Sequence, residues 1–111
     1  AAGMRMYPAD TLRDLFAVAK RHGVLFIADE VMTGNRTGRR WAFQHAGIAP
    51  DLICAAKTLA GGLMPLAVTL AGPAVVAGFD NPDPARAFIH GHTFTAHPLA
   101  CAVAAVNEEL V

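Results

Sequence analysis

The chain has 111 residues, 54% hydrophobic and 16% charged, which is apolar enough for one small domain that some other surface is expected to cover part of it. Nine basic and nine acidic side chains cancel to zero formal charge, leaving no electrostatic footprint for nucleic acid or an anionic membrane. No secretory signal opens the sequence and no apolar run approaches the roughly 18 to 20 residues of a membrane span, so a soluble, cytoplasmic protein is expected.

The chain begins Ala1-Ala2-Gly3 without an initiator Met and stops at Val111 inside a helical pattern, so a fragment of a longer polypeptide is expected. Residues 8–21 place Leu12, Leu15, Phe16 and Ala19 on one face, with Gly23 as a stop, and predict an amphipathic helix. Residues 24–28, apolar throughout, predict a strand covered on both faces, as in parallel sheets. A polar, glycine-containing loop spans residues 30–40, followed by a short helix over 41–45. Residues 52–56 predict a second apolar strand, Gly61-Gly62 a turn needing positive φ, and 66–70 a third strand. A proline-initiated helix follows over 73–79, then a loop over 80–86, a short strand beginning at Phe88 and Ile89, and an alanine-rich helix over 98–110. Helices alternating with apolar strands predict an α/β fold with a mostly parallel sheet flanked by helices, and a single domain over 1–111.

In such sheets ligands gather at the carboxyl ends of the strands. Two charges stand there: Asp29 ends one apolar run and Lys57 ends the next. Against apolar walls each needs a partner or a task. One reading is a plain ion pair in a non-catalytic core. The other is that the pair straddles a ligand, as pyridoxal phosphate chemistry requires: a lysine that bonds to the cofactor aldehyde and later moves a proton, and a carboxylate that holds the pyridine nitrogen protonated. Gly91-His92-Thr93 offers a flexible backbone and a hydroxyl for a phosphate.

The stretches LFIADEVMTGNRTGRRWAFQHAGIAPDLICAAKTLAGG and HGHTFTAHPLACAVAA resemble the class III pyridoxal phosphate aminotransferases of fold type I, from about Gly3 to the end of the chain. The resemblance implies part of the large cofactor-binding domain of a transaminase. Asp29 takes the place of the residue at the pyridine nitrogen, Val31 of the one packed on a ring face, and Lys57 of the lysine bonded to the cofactor. His92 and Thr93 resemble the phosphate contact donated across a homodimer interface, and Gly91 sits where the substrate channel is lined. A small-molecule amino donor and a keto acceptor are implied as partners. AAGMRMYP and TLAGGLMPLAVTL are more similar to the biotin-biosynthesis branch of the family than to its ornithine, acetylornithine or 4-aminobutyrate branches. Two departures stand out. The family usually has T-G-F-G-R-T-G where Thr33-Gly34-Asn35-Arg36-Thr37-Gly38 is one residue shorter, so this loop must close differently. The family's phosphate-binding glycine and serine turn, its stacking aromatic and its carboxylate-binding arginine lie outside these residues.

Other residues have plainer readings. His90, His92, His97 and Cys101 could chelate a metal in a hydrolase, but no carboxylate cluster accompanies them. Cys54 and Cys101 are expected to be buried packing thiols in a reducing compartment, His22 and His45 solvent-facing, and Trp41 and Phe43 anchors of the preceding loop. Glu30 either orients that loop or pairs with Arg36 or Arg39. Nucleotide binding at Gly61-Gly62 lacks the accompanying phosphate-loop patterns.

Overall fold

The computed structural model describes residues 2–111. Helix α1 (Ala9–Arg21) takes the extended Pro8 as its N-cap and ends at Gly23, whose φ of 64° only glycine adopts without strain. Its half-buried Leu12 and Phe16 lie on a small core of Phe43, Ala46 and Ile48, where Trp41, Phe26, Ala28 and Ile53 also pack. Phe16 meets the ring of Phe26 edge-on at 5.4 Å, and Arg13 Nε donates to the carbonyl of Ala46 at 3.0 Å. Leu15, predicted on the same face, is instead 56% exposed. It sits one position from the line of Leu12 and Phe16, off the face that packs on this core.

Three strands follow, β1 (Ile27–Asp29), β2 (Leu52–Ala55) and β3 (Val68–Ala71), in the order β1-β2-β3. Strand β1 begins later than its apolar run because Phe26 is occupied otherwise. Its N–H donates to Asp51 Oδ2 at 2.7 Å, and its carbonyl accepts from Asp51 N and Leu52 N. Lys20 of α1 pairs with the same carboxylate, so one aspartate joins helix, first strand and second strand.

The sheet is mixed: β1 and β2 are parallel, whereas β3 returns antiparallel to β2. The α/β layering matches the sequence reading, which left the third strand's direction open. A parallel neighbour needs a covering crossover. Residues 56–67 instead form turns through Gly61 and Gly62, both at positive φ as the sequence predicted, and carry the chain straight back. Behind β3, Gly72 passes so close to Asp51 that a Cβ would stand 3.2 Å from its carbonyl oxygen.

Helix α2 (Pro73–Val76) is shorter than predicted, and the short helix after the loop is a 3-10 turn (Ala42–Ala46). Phe88 and Ile89 form no strand: Phe88 packs on the rings of Phe79 and His90, while Ile89 is 91% exposed. Helix α3 (Pro98–Leu110) is capped by His97, whose Nδ1 accepts from Ala100 N at 3.4 Å. Cys54 is half-buried, but Cys101 is exposed, contrary to the expectation of two buried thiols, because only Ala100 in that turn faces inward. The cover on both faces that an all-apolar strand calls for is not among the described residues, where Leu25 and Ile27 stay more than half exposed. Among the described residues no helix is long and apolar enough to cross a membrane.

Candidate active site

Parallel pairing sets Asp29 directly opposite Cys54, and the hydrogen bond from Glu30 N to Cys54 O at 2.8 Å carries the ladder one step further. The acid therefore ends its strand beside the last residues of β2. Its Oδ1 accepts from Val31 N at 3.1 Å, a short-range turn that fixes the carboxylate's orientation while Val31 sits half-buried. Only Ala56 separates the end of β2 from Lys57.

Lys57 is exposed, whereas Leu59 and Ala60 just beyond it are buried. The alternation is a tight turn, closed by Leu59 N on Ala56 O at 2.9 Å, that sinks the apolar residues and leaves the ammonium outside. The ion pairs of the described residues are Arg13 with Asp10, Lys20 with Asp51 and Arg40 with Glu108; Asp29 and Lys57 belong to none of them. The plain ion-pair reading thus lacks its contact. Asp29 lines a groove of about 980 Å³ together with Tyr7, Ala28, Met32 and Thr37, and Lys57 is not on its wall. The backbone brings the two strand ends together; it does not put both side chains into that groove.

Glu30 resolves toward the orienting role. It is 3% exposed and accepts from Ala42 N and Phe43 N, both at 3.0 Å, and from the hydroxyl of Thr33. A buried carboxylate with three donors is satisfied where it stands. It caps the 3-10 turn and ties both ends of the loop, while Arg36 bonds the carbonyl of Met32 instead. The shortened loop closes by Asn35 N on Arg40 O at 2.9 Å, with Asn35 at a φ of 56° and Gly38 at 78°. Phe43 is buried and stacks with Trp41 at 6.5 Å, so both anchor the loop as the sequence suggested.

Gly91, His92 and Thr93 are exposed, in a turn closed by Thr95 N on His92 O at 2.9 Å. Among the described residues no side-chain hydrogen bond or ion pair links them to Asp29 or Lys57. His90 stacks on Phe88, His92 Nδ1 accepts from Phe94 N at 3.2 Å and His97 Nδ1 caps α3. Among the described residues no three metal-ligating side chains gather.

Two residues that sequence reasoning passed over hold the lysine turn. Thr58 Oγ1 donates to Gly34 O at 3.0 Å, joining the turn to the loop after Asp29. Asn107 of α3 donates through Nδ2 to Thr58 O at 2.8 Å and to Leu59 O at 3.1 Å. The available signal was one amide closing the apolar, alanine-rich run of α3, just before Glu108 and Glu109, where asparagine is a poor helix former.

A family model described as aminotransferase class-III matches residues 1–110. An adenosylmethionine-8-amino-7-oxononanoate aminotransferase from Synechococcus elongatus is 48% identical over 100% of this chain and 26% of its own length. An acetylornithine aminotransferase from Methanopyrus kandleri is 43% identical over 91% of this chain and 24% of its own. Among solved structures, an aminotransferase of Bacillus anthracis superposes with a TM-score of 0.90 at 33% identity, covering 95% of this chain and 24% of that one. An amine transaminase from an uncultivated Pseudomonas species, solved in a PLP-bound form, gives 0.86 at 38% identity, covering 93% of this chain and 24% of its own. The chain thus spans about a quarter of the length of the relatives it matches.

Proposed function

We propose, from the premise that this chain belongs to the class III aminotransferases, that it supplies the lysine and the pyridine-side carboxylate of a pyridoxal phosphate site in a cytoplasmic transaminase. The observation that carries the reading is the parallel register that ends Asp29 beside the strand leading to Lys57. An acid and an amine on adjacent strand ends are the donor set this cofactor needs.

When bound, pyridoxal phosphate supplies a ring that accepts electrons from the substrate carbon. Asp29, whose carboxylate is oriented by Val31 N, would hold a proton at the pyridine nitrogen, and Val31 would pack beside the ring. Lys57 is the residue whose Nζ would hold the cofactor and whose free amine would accept a proton from the substrate carbon. Thr93 and the backbone of His92 bind phosphate, and Gly91 lines the substrate channel. By the family resemblance, these residues would contribute to a partner's site in a homodimer.

For the substrates, we infer transfer of an amino group from S-adenosylmethionine to 8-amino-7-oxononanoate, giving 7,8-diaminononanoate for biotin synthesis. Support comes from the 48% identity to the Synechococcus enzyme across this whole chain. The 43% identity to the Methanopyrus enzyme favours a second reading, a transaminase of the acetylornithine, ornithine or 4-aminobutyrate type. A donor panel on the full-length protein separates them: turnover with S-adenosylmethionine is expected, and turnover only with acetylornithine, ornithine or 4-aminobutyrate would establish the second.

A further inference from the structure

The lysine turn is held from outside its own strand. Among the described residues Asn107 Nδ2 bridges two successive carbonyls, Thr58 O at 2.8 Å and Leu59 O at 3.1 Å, from a helix far along the chain. Thr58 O also accepts from Gly61 N at 3.2 Å, and Leu59 and Ala60 are buried beneath. Gly61 is shaped to this contact: at a φ of 57°, any Cβ there would stand 2.9 Å from Asn107 Oδ1. From the other side, Thr58 Oγ1 reaches Gly34 O at 3.0 Å, in a loop whose Gly34 N bonds Glu30 O next to Asp29. The residue after Lys57 is thereby fixed both to α3 and to the loop that follows Asp29.

Resting on the transaminase reading above, we propose that Asn107 is a positioning residue for Lys57: its amide fixes the turn that sets where the lysine amine stands relative to Asp29. Both hydrogens that Asn107 donates go to carbonyls of the two residues following the lysine, so their loss frees the backbone next to the reacting amine. A neutral amide suits this role and a carboxylate opposes it, because two carbonyl oxygens would then face negative charge with no donor. Displacement of a reacting group by about 1 Å costs up to roughly a hundredfold in rate.

The test uses the full-length protein, loaded with pyridoxal phosphate, and its Asn107→Asp and Asn107→Ser variants. Two readouts are followed: the pH midpoint of the visible band of the lysine-bound cofactor, and kcat against KM. The expected result is a midpoint moved by about half a unit or more, with kcat down roughly tenfold or more and KM changed little. Serine, which retains a donor, is expected to fall between aspartate and the unsubstituted protein. Variants that bind cofactor with the original midpoint and kcat would overturn the assignment. Failure of both variants to fold would also overturn it, in favour of a purely structural tie. An unsubstituted protein with no lysine-bound band would instead defeat the underlying transaminase reading.

Discussion

Asp29 and Cys54 face each other across two parallel strands, and this register brings an acid to the edge from which the chain runs on to Lys57. Both apolar runs give way to a charged residue at or just past their carboxyl ends, where ligands of such sheets bind. Asp29→Asn in the full-length protein is expected to retain bound cofactor, read from its visible absorbance, while turnover falls on the order of a hundredfold because the pyridine nitrogen loses its anionic partner. Unchanged turnover would remove Asp29 from the site.

Glu30, next in sequence, has a different task. Replacing it by alanine leaves Ala42 N, Phe43 N and the Thr33 hydroxyl without their common acceptor inside a nearly closed pocket. Unmade buried hydrogen bonds cost about 1–3 kcal/mol each. Glu30→Ala is expected to lower stability by about 3 kcal/mol in denaturant melts, with Glu30→Gln milder since it retains an acceptor oxygen. A melt unaffected by Glu30→Ala would contradict the loop-tying role.

Asp51 carries an acid-sensitive part of the stability. The hydrogen bond from Lys20, then that from Phe26 N, hold its carboxyl below the ordinary value of 3.8. Because the folded value is the lower one, the contribution is fully present above the unfolded value and is lost as pH falls through the folded one. Stability is therefore expected to decline below about pH 4, and Asp51→Asn is expected to flatten that decline in denaturant midpoints measured against pH. An identical acid profile in the variant would show that the link between α1, β1 and β2 contributes nothing in this range.

The parts legible in the sequence were those set by local pattern. Helix α1 followed from its three-and-four spacing, β1 and β2 from their apolar runs, and the Gly61-Gly62 turn from glycine chemistry. The direction of β3 was not legible, since a loop of turns and a helical crossover differ in path more than in composition. Phe88 and Ile89 have strand character, but Phe88 instead packs on the rings of Phe79 and His90. For the site, Asp29 and Lys57 stood out as charges ending apolar runs. Asn107 and Thr58 did not, because their roles arise from contacts between segments distant in sequence. Glu30 resolved only when its three donors converged on one carboxylate.

The most direct measurement of the central claim is borohydride reduction of the full-length protein with pyridoxal phosphate bound, followed by peptide mapping by mass spectrometry. This chain has two lysines, and Lys20 is engaged with Asp51. The expected result is a reduced cofactor adduct on the peptide containing Lys57, abolished in Lys57→Ala. An adduct on Lys20 or on a lysine elsewhere in the protein, or undiminished labelling of the Lys57→Ala variant, would contradict the account.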